Sequence, residues 1–391
     1  MSSGLLRHAA IAGIGESRLG RVPGMSALAL QNEAAEAALA DAGLTFADVD
    51  GLLTTPLRTE SWPMPCGVVA EGLGIHPRYI ATLDVAGASG CSMVLHAAMA
   101  IATGQASTVL CVAGQPSLSH RGRGDTVKAL AGAGWAHPDL EAPYGPMVPT
   151  LYALFAQRHM AEYGTTSEQL AEVAVALRGW AGMNDNAQKR EPITIADVLA
   201  SPPVTSPFHV LDCALVSDGA AAFVVTSAER ARDLRQPVVT PLGGGHGFSH
   251  TYIGDYDAPA VTGALHSGRE AFRQAGVTPA DIQVAELYDC FTITVIAELE
   301  DLGFCKKGEG GAFVQGGRIG PGGSCPVTTH GGLLSAGHPG LAGGMFHVIE
   351  AVRQLRGQAG KRQIPDAELA LAHGNGGIIG LHCSVVLGRG R

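Results

Sequence analysis

The 391-residue chain is poor in aromatic residues, which make up 5% of it. It has no run of about 18 apolar residues, which excludes a membrane-spanning helix. It has no basic tract, and 26 Lys and Arg stand against 35 Asp and Glu, so nucleic acid is not an expected partner. It has no CxxC pair. The eight cysteines (Cys66, Cys91, Cys111, Cys213, Cys290, Cys305, Cys325 and Cys383) are scattered, which argues against a disulfide scaffold. The start, Met1 to His8, lacks a charged segment followed by a long apolar stretch, so no secretory signal is expected. These absences together predict a cytoplasmic protein with reduced thiols, most of them buried as small hydrophobes. What is abundant is glycine, 54 residues, in a chain that is 46% hydrophobic. Backbones must approach one another closely, and the length suits two domains or two half-domains.

One internal repeat is visible. Glu36-Ala37-Ala38-Leu39-Ala40-Asp41-Ala42-Gly43-Leu44-Thr45-Phe46-Ala47-Asp48-Val49 resembles Arg269-Glu270-Ala271-Phe272-Arg273-Gln274-Ala275-Gly276-Val277-Thr278-Pro279-Ala280-Asp281-Ile282. Each reads as a helix stopped by a glycine C-cap, then a Thr-x-Ala-Asp turn leading into a strand. The repeat predicts two similar halves, 1–234 and 235–391. Short β-rich runs at 107–113, 220–226, 368–372 and 384–387 alternate with helical stretches such as 90–103, which argues for sheets covered on both faces. Residues of about 115–205 differ. They hold Pro/Gly-rich turns and helical stretches at 151–163 and 167–184, and read as an insertion in the first half that covers a cleft.

Four segments carry chemistry. Asp84-Val85-Ala86-Gly87-Ala88-Ser89-Gly90 is a glycine-rich turn into a helix, which gathers backbone N–H groups and a positive helix end at one spot. A tight structural turn would look the same. Glu286-Leu287-Tyr288-Asp289-Cys290-Phe291 is the second. The third and fourth are His330-Gly331-Gly332-Leu333-Leu334-Ser335-Ala336-Gly337-His338-Pro339-Gly340 and His373-Gly374-Asn375-Gly376-Gly377. A lone loop histidine is usually structural; two histidine-bearing glycine turns point to an acid/base site. The histidines form no HxxxH-type pair with a partner carboxylate, so no metal site is expected. Lys306-Lys307 beside Glu309 reads as a solvated loop.

These segments resemble the thiolase superfamily along the whole chain and in the right order. His330–Gly340 resembles the thiolase GGxxxxGHP signature, and His373–Gly377 sits where thiolases carry a Cys-x-Gly-Gly-Gly turn. Ser217-Asp218-Gly219-Ala220-Ala221-Ala222 resembles the block that closes the first half. Tyr288-Asp289-Cys290-Phe291, with Leu302 to Gly310, is most similar to the sterol-carrier-protein-type branch, which has His-Asp-Cys-Phe there. The resemblance implies an α/β fold of five layers, αβαβα, with two pseudo-symmetric halves. It also implies an acyl-CoA thioester as substrate with no cofactor beyond that CoA, and a homodimer. The sterol-carrier branch can carry a lipid-transfer domain at its C-terminus; none is expected after Arg391.

The departures carry as much weight. Matched without gaps, Gly87 falls in the column of the nucleophilic thiolase cysteine. Cys91 lies four positions further on, about 6 Å along a helix, and Ser89 is nearer but has no identifiable base. Tyr288 replaces the branch's His, and His373 takes the column of a second catalytic cysteine, as it does in the sterol-carrier branch. This combination resembles the thiolase-like aldolases, which split β-hydroxyacyl-CoA side chains beside a small OB-fold partner. Those carry a second tyrosine where this chain keeps His338. The expected reaction is a retro-aldol without an acyl-enzyme, with Tyr288, His338 and His373 as acid/base residues, and His330, Cys91 and Ser89 as further candidates. Gly87, Gly332, Ser335, Gly376 and Gly377 are the expected ligand-binding positions. The alternatives are an acyltransferase that uses Cys91, or a CoA-ester-binding subunit without catalysis.

Overall fold

The computed structural model describes residues 4–255 and 260–390. Its strands are β1 (Ala9–Glu16), β2 (Gly51–Thr54), β3 (Tyr79–Thr82), β4 (Thr108–Pro116), the short ribbon β5 (Pro203–Thr205) and β6 (Phe208–His209), β7 (Asp218–Ser227), β8 (Val239–Phe248), β9 (Val284–Glu286), β10 (Leu369–Gly376) and β11 (Leu381–Arg389). Nine of them form one sheet in the order β3-β2-β4-β7-β1-β8-β11-β10-β9.

The two halves of this sheet repeat one pattern. In the first, β2 runs parallel to β4, and β4–β7 and β7–β1 are antiparallel. In the second, β9 runs parallel to β10, and β10–β11 and β11–β8 are antiparallel. Where β3 flanks β2, a single parallel bridge from Ala285 to Val327 flanks β9. The resemblance implied two separate sheets; here they meet edge to edge through one register pair, Ile11 with Val239.

The repeated segments fold alike. Helix Ala27–Ala42 ends at Gly43 with φ 74°, and helix Ala264–Ala275 at Gly276 with φ 75°. This left-handed backbone suits glycine. Each is followed by a reciprocal cap: the N–H of Thr45 donates to Asp48 at 2.9 Å, and that of Thr278 to Asp281 at 2.8 Å. The turns then lead into β2 and β9.

These two helices cover the outer faces, on β1, β4 and β7 and on β8 and β11 respectively. Helices Ser89–Ala102 and Gly343–Leu355 pack on each other in the middle, and the first touches strands of both halves. The result is five layers. The central pair is buried nearly all round, and Met93, Val94, Val348, Ile349 and Val352 are fully buried. Each such side chain contributes about 1.5–3 kcal/mol through burial. The crossing is close because a Cβ on Gly90 would stand 2.7 Å from the Gly344 carbonyl carbon.

The segment expected to be an insertion holds helices Ser117–Ala131, Val148–Tyr163, Ser167–Gly182 and Ile195–Ala200, and position 235 falls between β7 and β8. No helix among the described residues is long and apolar enough to cross a membrane.

Candidate active site

A cavity of about 850 Å³ opens between the insertion and the ends of the two central helices. Ala86 and Gly87 border it at the start of one helix, Gly340 and Leu341 just before the other. Two positive helix ends therefore face one space.

Tyr288 and His338 meet in this cavity. The Tyr288 hydroxyl lies 3.1 Å from His338 Nε2. A backbone hydrogen bond to Leu215 engages the other ring nitrogen, and a carbonyl can only accept. The neutral ring therefore carries its proton on Nδ1 and offers a lone pair at Nε2, so Tyr288 donates. Burial, with His347 nearby, pushes His338 down to about 4. Burial, the neighbouring Cys290 and the Asp289 and Glu298 carboxyls push the Tyr288 phenol well above its ordinary value. The pair is a neutral imidazole accepting from a neutral phenol.

The loop carrying His338 is fixed from below. Residues Gly332–Ala336 form a π-helical turn, a geometry often found at functional sites. Its leading N–H groups, on Leu333 and Leu334, donate to Asp289 at 2.8 and 3.0 Å. Gly332 has φ 64°, and a Cβ there would strike the Asp289 carboxylate. Asp289 thus ties the Tyr288 segment to the His338 segment, and Ser217 Oγ accepts from the His338 N–H at 2.9 Å.

The vacant cysteine column has a physical occupant. A Cβ built on Gly87 would overlap the Tyr288 ring and hydroxyl and the Asn375 carbonyl oxygen. The phenol fills the space a longer side chain at position 87 would need.

The other expected site residues divide. Gly87 and Gly377 line the cavity. Gly332, Ser335 and Gly376 do not: Gly332 closes against Asp289, Ser335 Oγ accepts from Arg178 at 2.9 Å, and Gly376 closes against the Val85 carbonyl. Ser89 is buried and accepts from the Val85 N–H at 3.2 Å. Cys91 is fully buried in the core between the half-sheets, and burial pushes its thiol far up. It does not border the cavity, which removes the displaced-nucleophile geometry. Two thiols that the sequence did not single out as site candidates do border it. Burial pushes Cys213 up to about 12 and Cys290 higher still, so both are protonated and inert as nucleophiles.

His330 and His373 lie behind the cavity wall. His330 Nδ1 bonds Glu286 at 3.1 Å, and His347 stands between Glu286 and Asp289 at 4.0 and 3.8 Å. His373 bonds Ser384 Oγ at 2.8 Å through Nδ1 and His382 Nδ1 at 2.9 Å through Nε2; His382 Nε2 donates to the Ile379 carbonyl at 3.0 Å. With both nitrogens engaged and no place on the wall, His373 has no direct reach to a ligand. Glu286–His330–His347 and Glu298–His373–His382 are each compact enough to hold a metal ion. In the second, His373 and His382 already bond each other; in the first, His330 Nδ1 bonds Glu286, while neither nitrogen of His347 makes a hydrogen bond of good geometry.

Two cavity residues escaped the sequence reading. Tyr152, on helix Val148–Tyr163, donates to the Gly377 carbonyl at 2.9 Å and stacks on Phe291. It sits in a stretch without motifs, so only the fold reveals it. Asn375 lies within the noted fourth segment and lines the wall with neither amide atom in a hydrogen bond of good geometry. On the other side, Arg58, Arg121, Arg123 and Lys128 border the same cavity.

The chain was compared with known proteins. The family described as Thiolase, N-terminal domain matches residues 8–198, and Thiolase C-terminal domain-like matches 245–389. The "Steroid side-chain-cleaving aldolase" of Thermomonospora curvata is 39% identical over 360 residues, 89% of this chain and 90% of that protein. The "Acetyl-CoA acetyltransferase" of Methanothermobacter thermautotrophicus is 34% identical over 384 residues, 96% of this chain and 99% of that protein. Among solved structures, the "Ltp2-ChsH2(DUF35) aldolase" superposes with a TM-score of 0.88 at 36% identity, covering 99% of both chains.

Proposed function

The chain belongs to the thiolase family, and on that premise we propose that it is a CoA-thioester lyase that cleaves β-hydroxyacyl-CoA by a retro-aldol reaction, without an acyl-enzyme. One observation carries this reading: the Tyr288 phenol occupies the nucleophile's space and donates to a neutral His338. The relatives that bear an aldolase name support it.

In this reading the substrate hydroxyl bonds the Tyr288 oxygen. As its proton moves to Tyr288, the phenol proton passes to His338 Nε2. A phenol held this far up is a poor base alone, so the imidazole is the acceptor that makes the transfer feasible. The Cα–Cβ bond breaks, a ketone or aldehyde leaves, and the electron pair enters the thioester as an enolate. The two helix ends stabilise that charge. His338 returns its proton to the α-carbon through Tyr288, which closes the cycle without redox change. Arg58, Arg121, Arg123 and Lys128 supply the positive rim that phosphates of a CoA need. No cofactor beyond that CoA is used. The enzyme acts in the cytoplasm as a homodimer, beside a small OB-fold partner; the two-protein name of the similar aldolase structure supports the partner.

The deciding experiment is turnover of a β-hydroxyacyl-CoA by wild type and Cys91→Ala, with labelled acyl-CoA to detect a covalent adduct. Cys91→Ala turns over within about twofold of wild type, and no label stays on the protein. Label that disappears with Cys91 would establish acyl transfer instead.

The acid limb of the rate profile follows from His338. As a base it must be neutral, and its folded-state value is lowered to about 4. Activity therefore persists as pH falls through 6.5, the ordinary histidine value, and kcat/KM drops only near pH 4. An acid limb centred near 6.5 would show that another base operates.

A further inference from the structure

Asn375 sits on the cavity wall, 1% exposed, and neither its amide nitrogen nor its amide oxygen makes a hydrogen bond of good geometry. Burying an unpaired amide costs about 2–7 kcal/mol, depending on the reference environment. Such a group in a native structure calls for a ligand, a water or a function. Along β10, a Cβ on either Gly374 or Gly376 would meet the turn at 85–88, while His373 and Asn375 alternate to the opposite side.

There Asn375 meets Glu298, on helix Thr292–Asp301. Glu298 is fully buried, and both of its oxygens also lack a bond of good geometry. Burial and the Asp289 carboxyl raise it well above the usual carboxylate range, and the contact with Asn375 works against that rise. A hydrogen bond that lowers a carboxyl's pKa is one donated to it, so the Asn375 NH₂ is the group that faces Glu298. An amide NH₂ carries two N–H groups, so with one toward Glu298 the second remains to donate to a ligand in the cavity.

We propose that the side-chain amide of Asn375 is a further catalytic group, which donates a hydrogen bond to the thioester oxygen of the bound ligand and holds that oxygen as enolate charge develops. It rests on the retro-aldol reading for its reaction, though the donor itself serves any enolate formed in this cavity. Glu298 is the positioning residue that sets the amide's orientation. A fixed donor of this kind is worth about 10²–10³ in rate.

The test uses the full chain and acetyl-CoA in D₂O, with exchange of the α-hydrogens followed by mass spectrometry. Exchange needs an enolate but no carbon–carbon cleavage, so it reads this donor apart from the aldol reaction. Wild type incorporates deuterium. Asn375→Ala and the near-isosteric Asn375→Asp slow exchange by about 100-fold, with the acetyl-CoA Kd and the thermal midpoint close to wild type. Glu298→Gln, which keeps an acceptor oxygen beside the amide, exchanges near the wild-type rate, whereas Glu298→Leu slows it at unchanged Kd. Exchange by both Asn375 variants at the wild-type rate, or none by wild type, would overturn the proposal. If β-hydroxyacyl-CoA is not cleaved but exchange still depends on Asn375, the donor stands and only the retro-aldol reading falls.

Discussion

Tyr288→Phe lowers kcat on a β-hydroxyacyl-CoA by about 10²–10⁴, the range for loss of a positioned acid/base group. The change removes one oxygen and nothing else. The ring still fills the space above Gly87 and still meets His347 edge-on at 5.6 Å, so the cavity keeps its shape and ligand Kd changes little. His338 Nε2 loses its partner at 3.1 Å, which costs on the order of 1 kcal/mol in stability. Steady-state kinetics and a binding isotherm on the same preparation separate the two effects. A phenylalanine variant within about threefold of wild-type kcat would show that the phenol does not move the proton.

Gly87→Cys, the change that restores the family's nucleophile on paper, abolishes turnover and destabilises the chain by about 1–3 kcal/mol or more. The new Cβ has nowhere to go: the Tyr288 ring lies on one side and the Asn375 carbonyl on the other. Moving the ring breaks its contact with His338; moving the carbonyl disturbs β10. The two positions are therefore coupled. In a double-mutant cycle with Tyr288→Asn, the smaller side chain relieves the ring's share of the overlap. The double variant is then more stable than the sum of the single changes by at least about 1 kcal/mol. Denaturant unfolding of the four proteins measures this directly. A cysteine at position 87 that folds as well as glycine and takes up an acyl group would contradict the reading.

Much of this was legible in the sequence. The Gly43 and Gly276 caps announce the repeat because only a left-handed residue ends a helix that way. Tyr288 and His338 stand out because their segments bring a polar side chain and a glycine-rich backbone together. The misses are just as physical. His373 lies in a glycine turn by sequence, but its two ring nitrogens are taken by Ser384 and His382 behind the cavity wall. Cys91 is one helical turn from Gly87, yet that turn carries it inside the core. Lys306-Lys307 reads as solvated, but Lys307 reaches the buried carboxylates of Glu300 and Asp301 at 3.1 and 2.8 Å. Tyr152, Arg121, Arg123 and Lys128 come from a stretch whose residues gain meaning only when the insertion folds over the cleft.

The register pair of Ile11 with Val239 has a mechanical side. With helix Ser89–Ala102 wedged against strands from both repeats, neither repeat has a finished hydrophobic interior of its own. Pulling them apart would expose the apolar surface of both middle helices at once. Such a chain melts in a single cooperative step, and a protease cut in the link between β7 and β8 leaves two fragments that remain clasped together.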